Sequence, residues 1–123
     1  VKASRLAKIA SEAVAATQRE LPAEILEVAR LVPVLFEPAP GADVLAEGFE
    51  PDILGLFTGS PHGERRAGDD PMPAQIHLYT ANLWDYSGED VAEFRAEARL
   101  TYLHELGHFL GWDEDQVAAR GLD

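Results

Sequence analysis

Cysteine is absent from these 123 residues, so no disulfide framework can hold the fold and no thiolate can ligate a metal. Bases are scarce as well: 10 Lys and Arg stand against 22 Asp and Glu, a formal net charge of -12. Nucleic-acid binding rests on neutralising phosphates with Lys and Arg, and adsorption to anionic lipid needs the same charge, so neither partner is expected. No apolar run approaches the roughly 20 residues that cross a bilayer. The amino terminus has no basic head leading into an apolar stretch, so no secretory signal is expected either. These absences point to a soluble, cytoplasmic protein, expected to be a monomer.

What is present is enough for a core. Hydrophobic residues make up 46% of the chain and ten are aromatic (two Trp, three Tyr, five Phe), so one domain over residues 1–123 is expected. Leu6, Ile9, Ala13 and Ala16 recur at helical spacing between Lys2 and Arg19, which predicts an amphipathic helix. Pro22 opens a second, short helix with Ile25, Val28 and Ala29 on one side, ending near Arg30. Val32–Phe36 reads as an edge strand because of Pro33, and Ile53–Phe57 as a second strand. Residues 37–52 and 58–73 read as loops, rich in Pro, Gly and charge. Gln75–Thr80 alternates polar and apolar residues and predicts a strand with one covered face. From Ser87 or Asp90, either able to cap it, a long helix should run through Val91, Phe94, Ala98, Leu103 and Leu106 to about Leu110, where Gly111 stops it. Asp113–Arg120 could add one or two further helical turns.

That last long helix carries His104-Glu105-Leu106-Gly107-His108. Residues four apart on a helix lie about 6 Å apart along the axis and about 40° apart around it, so both imidazoles face one way and can ligate one Zn²⁺. Glu105 stands beside the pair, where its carboxylate can take a proton from a metal-bound water. A shuffled chain of this composition would contain on the order of 0.01 such patterns, so chance is a poor explanation. Metal here would be held by nitrogen and oxygen alone.

A catalytic zinc usually takes three protein ligands and keeps a position for water. Fifteen residues follow His108 and none is histidine, so the downstream candidates are Asp113, Glu114, Asp115 and Asp123. Gly111 can adopt a left-handed conformation and turn the chain back toward the metal. Glu114, ten residues after His104, stands where metzincin-like patterns place their last ligand, with Asp113 the next choice. The only methionine, Met72, precedes the motif, so the methionine turn that follows the zinc helix in metzincins is not expected.

The run His104-Glu105-Leu106-Gly107-His108-Phe109-Leu110-Gly111-Trp112-Asp113-Glu114 resembles the signature of the small bacterial zincin-like, or minimal, metallopeptidases. Val32-Pro33-Val34, Leu54-Gly55-Leu56-Phe57 with Gly59 and Pro61, and Ile76-His77-Leu78-Tyr79 are similar in order and spacing to that family's three strand segments. The resemblance covers roughly residues 20–120. It implies an α+β fold in which a small, three-stranded sheet packs against N-terminal helices and a zinc-binding helix. It further implies His104 and His108 as ligands, an acid at Glu114 completing the site, and Glu105 as general base in peptide-bond hydrolysis. The substrate would be a peptide or protein, presented as an added strand at the sheet edge.

Two other readings stand beside this one. A non-catalytic metal- or partner-binding module could keep the same frame, but it would not need the base at Glu105. A metal-dependent ribonuclease is the third, because the bacterial rRNA-maturation family has a similar His-Gly-x-x-His-x-x-Gly-x-x-His arrangement. Glu105, Glu114 and the net charge weigh against it. For an oxyanion-stabilising group the candidates are Tyr79, Tyr86, His77 and His62, and Arg65-Arg66 could attract an acidic substrate.

Overall fold

The computed structural model describes residues 2–63 and 73–112. Its elements are α1 (Ala3–Arg19), α2 (Ala23–Ala29), β1 (Val34–Glu37), α3 (Ala42–Ala46), β2 (Gly55–Thr58), β3 (Gln75–Tyr79), α4 (Thr80–Tyr86) and α5 (Val91–Phe109). The architecture is α+β, a three-stranded sheet of order β1-β3-β2 packed against helices. None of the described helices is long and apolar enough to cross a membrane.

β3 is the central strand. It pairs parallel with β1, Val34 opposite Ile76, and antiparallel with β2, Gly55 opposite Leu78. The two-residue alternation expected of Gln75–Thr80 separates its faces: Ile76 and Leu78 are fully buried against the helices, while His77 points to the opposite face. The core beneath the sheet is completed by Leu6, Ile9, Ala10, Ala13 and Val14 of α1, Leu83 of α4, and Phe94, Ala98, Tyr102, Leu103 and Leu106 of α5. Ala16, expected on the apolar face of α1, is exposed, and Thr17 takes an inward position instead by donating its hydroxyl to the Ala13 carbonyl at 2.7 Å. Val91 is likewise exposed, at the start of α5.

Two helices were not expected from the sequence. α3 is a five-residue helix inside the stretch read as loop, with no buried residue of its own. α4 follows β3 without a connecting loop, so Thr80 begins a helix where the alternation predicted a sixth strand residue. Contacts between distant segments set that change of conformation. The Thr80 hydroxyl donates to the Glu37 carbonyl at 3.3 Å and the Ala81 N–H to the Pro38 carbonyl at 3.0 Å, at the last residue of β1 and the one after it. The strands also begin later than expected, at Val34 and Gly55, although Pro33 and Leu54 each still accept a backbone bond from β3.

α5 begins and ends on capping groups visible in the sequence. The Asp90 carboxylate accepts from the Glu93 N–H at 3.0 Å, satisfying one of the free donors of the first turn. At the other end Gly111 adopts φ +83°, its N–H bonds the His108 carbonyl, and the Trp112 N–H bonds the Gly107 carbonyl, both at 2.9 Å. This pair of bonds is a Schellman motif, which terminates the helix one turn past the histidines.

Candidate metal centre

Ridge by ridge, α5 sorts its residues between core and site. Tyr102, Leu103, Leu106 and Phe109 are buried, and the partly exposed face between them carries His104, Glu105 and His108. The one-turn spacing brings the imidazoles together as expected: His104 Nε2 and His108 Nε2 are 3.2 Å apart, with the rings edge-on at 4.8 Å between centroids. Two nitrogens on a tetrahedral zinc, each about 2.0–2.1 Å from the ion, are about 3.3 Å apart. The pair therefore already stands at ligand spacing. With Glu105, the candidate ligand atoms all lie within 4.8 Å of one another, a cluster consistent with one divalent cation such as Zn²⁺. The donor set of two imidazoles and a carboxylate, on consecutive turns of a packed helix, fits that ion in both chemistry and rigidity.

β2 stands beside this cluster. A recess of about 310 Å³ is lined by Leu54, Gly55, Leu100, Thr101, His104 and Glu105. The helix and strand come this close because residue 55 has no side chain: a Cβ there would sit 2.5 Å from the Thr101 methyl carbon. Further along, the Phe57 and Phe109 rings meet at 5.9 Å. The chain leaving β2 also returns to α5. The His62 N–H donates to the Phe109 carbonyl at 2.7 Å and its ring lies 5.7 Å from the Phe109 ring, next to the turn that carries His108.

Backbone pairing leaves one side of β2 open among the described residues. The Tyr79 N–H bonds the Leu54 carbonyl at 2.9 Å, so with the antiparallel register residues 54, 56 and 58 direct their backbone groups at β3. Gly55 and Phe57 direct theirs to the free edge.

The remaining residues singled out in the sequence fall in different places. Tyr86 is 65% exposed at the end of α4. Tyr79 is buried, and its hydroxyl has no hydrogen-bond partner among the described residues. Burial, with the charges of Glu37, Asp43 and Glu105 adding to it, pushes the Tyr79 phenol up to about 12. Tyr102 is raised too, chiefly by burial, against the bond it accepts from the Gln18 amide at 3.0 Å. His77 is engaged at both ring nitrogens: Nδ1 lies 2.6 Å from Glu37 Oε1 and Nε2 3.2 Å from Thr58 Oγ1. Asp113, Glu114, Asp115, Asp123, Arg65, Arg66 and Met72, with the helical turns expected over Asp113–Arg120, lie outside the described residues.

Sequence reasoning did not find the Glu37–His77–Thr58 row, nor the approach of His62 to α5. Alternation marked His77 as an outward residue, but only strand order and register reveal which side chains flank it. No curated protein matches the chain. The profile of the zincin-like metallopeptidase family matches residues 29–122, from the end of α2 through the sheet and all of α5. With the His104–Glu105–His108 cluster set in that span, the chain belongs to the zincin-like metallopeptidase family.

Proposed function

We propose that the protein hydrolyses peptide bonds with His104 and His108 as metal ligands, Glu105 as general base and Glu114, or failing it Asp113, as the third ligand. The observation that carries the reading is the cluster itself, three potential ligand atoms within 4.8 Å beside a strand edge that is open among the described residues. A bound divalent ion supplies Lewis acidity, polarising the scissile carbonyl and acidifying water. Glu105 accepts the proton of the attacking water and returns it to the leaving amine. The free N–H and C=O groups of Gly55 and Phe57 receive the peptide as an added strand, which lays its scissile bond along the recess in front of His104 and Glu105. The presence of a base at position 105 favours this reading over a purely structural metal site. The net charge of -12 favours a peptide over a nucleic-acid substrate.

Metal analysis paired with a peptide-library cleavage assay on wild type and Glu105→Gln tests the proposal. One equivalent of metal in both proteins, with cleavage only by wild type, is the expected result. Stoichiometric metal with no cleavage of any library leaves a binding module. Unchanged metal content in His104→Ala, or in Glu114→Ala, refutes the corresponding ligand assignment.

A further inference from the structure

β2 is only four residues long and, among the described residues, is hydrogen-bonded to a strand on one side, yet it is the strand against which a substrate would be laid. Such an edge frays unless something besides the ladder holds it, and a frayed strand must be ordered again each time a peptide adds to it. Side chains hold it at both ends. Before the strand, the Asn82 amide of α4 donates to the Pro51 and Ile53 carbonyls, each at 2.9 Å. At its last residue, Thr58 Oγ1 meets His77 Nε2 at 3.2 Å, and His77 Nδ1 is anchored on Glu37 at 2.6 Å, a row that crosses all three strands. The His77 side chain is only 13% exposed, and its ring stacks on Tyr79 at 6.2 Å and 17°, so its plane is fixed.

We propose that His77 and Asn82 are positioning residues that clamp the two ends of β2 and so preorganise the free edge that receives the substrate. This rests on the peptidase reading above. The carboxylate fixes the ring: Nδ1–H donates to Glu37, which leaves Nε2 to accept from the Thr58 hydroxyl. Protonation of the ring reverses the Thr58 bond, with Nε2–H donating to the hydroxyl oxygen, and keeps the tie. Both act on β2 from its ends, His77 through the Thr58 side chain and Asn82 through the Pro51 and Ile53 carbonyls that lead into the strand, and not on the chemistry at Glu105. Their loss is therefore felt in substrate binding and not in turnover.

The two halves of the row can be separated. An asparagine amide at position 77 reaches where Nδ1 was and keeps Glu37 while releasing Thr58; a glutamine amide reaches where Nε2 was and keeps Thr58. Steady-state kinetics are measured with the internally quenched peptide best cleaved in the library screen. His77→Asn, Thr58→Val and Asn82→Ala should raise KM by about 3–10-fold with kcat within about 2-fold of wild type. His77→Gln and Thr58→Ser should stay near the wild-type KM, and metal content should be unchanged throughout. Wild-type KM in both His77→Asn and Thr58→Val, or a fall in kcat alone, overturns the proposal. Amide hydrogen exchange supplies a readout independent of cleavage: Leu56 and Thr58 amides, which face β3, should exchange faster in His77→Asn than in His77→Gln. Equal exchange refutes the clamp even if the wild type cleaves nothing, whereas absence of cleavage with the expected exchange difference refutes the peptidase reading and leaves the clamp standing.

Discussion

Gly55→Ala tests how tightly the metal helix and the edge strand are bound together. The new Cβ would stand 2.5 Å from Thr101 Cγ2, 3.0 Å from the His77 carbonyl oxygen and 3.4 Å from Leu78 Cδ2. Carbon atoms in contact prefer about 3.5–4.0 Å, so strand and helix must part by roughly an ångström. Neither close neighbour yields easily, since one is a backbone carbonyl in the central ladder and the other a β-branched side chain with restricted rotamers on a helix. Overpacking of this kind costs about 1–3 kcal/mol. At this chain length that lowers Tm by roughly 5–15 °C. Thr101→Ser removes the offending methyl, so the double variant should recover about 1 kcal/mol relative to additivity, the rest being held by the His77 carbonyl. Urea denaturation of the four proteins, with the m-value checked for constancy, measures this coupling. Thr101 lies three residues before His104, so metal affinity should fall in Gly55→Ala and return in the double variant. A Gly55→Ala protein as stable as wild type, or penalties that simply add, would refute the claim that glycine is required by the approach of β2 to α5.

The other expectations are shorter to state. Tyr79→Phe removes a buried hydroxyl that has no partner among the described residues, so it should leave stability unchanged or raise it by about 1–2 kcal/mol in urea titration. The same variant should lose an alkaline transition: with the phenol at about 12 in the folded protein and 10.0 when unfolded, its contribution is complete below pH 10 and is lost as pH rises toward 12, by about 2–3 kcal/mol. Asp90→Ala should cost about 1 kcal/mol through the lost cap while metal affinity stays at the wild-type value, since the cap is about 20 Å along α5 from His104. Gly111→Ala forces an L side chain into φ +83° and should cost about 1–2 kcal/mol, with weaker metal binding if the chain beyond it supplies the third ligand. Zinc at about 100 times its dissociation constant should stabilise wild type by about 2.7 kcal/mol, an effect absent in His108→Ala by thermal denaturation.

How far these features could be read in advance depends on how local their causes are. α1 announces itself by periodicity, and α5 by its ends at Asp90 and Gly111, because caps and helical faces are decided within four residues. α4 does not, since the switch from strand to helix at Thr80 is decided by the Glu37 and Pro38 carbonyls, 43 residues away in the chain. The strand order β1-β3-β2 is equally non-local, and with it goes the meeting of Glu37, His77 and Thr58. Histidine at position 77 could be placed on an outward face by alternation alone, but its two partners belong to strands whose register no local pattern encodes.

The metal cluster was legible for the opposite reason. A helix converts the spacing of His104 and His108 directly into a shared face, so it was readable without tertiary information that their nitrogens can meet, as they do at 3.2 Å. A cluster on a helix is still not a catalytic centre until something places a substrate in front of it. On the proposed reading, that requirement is met by β2. Gly55 lets β2 lie against Thr101, one turn before His104, and the antiparallel register turns the Gly55 and Phe57 backbone outward. The same residue therefore brings the strand to the helix and offers its own backbone at the free edge. Any larger side chain at position 55 would push the edge proposed to bind peptide away from Glu105 at the moment it strained the core. Stability and the approach of β2 to the metal helix are coupled at that one glycine, and this is why the Gly55→Ala and Thr101→Ser cycle should report on metal affinity and unfolding together rather than on either alone.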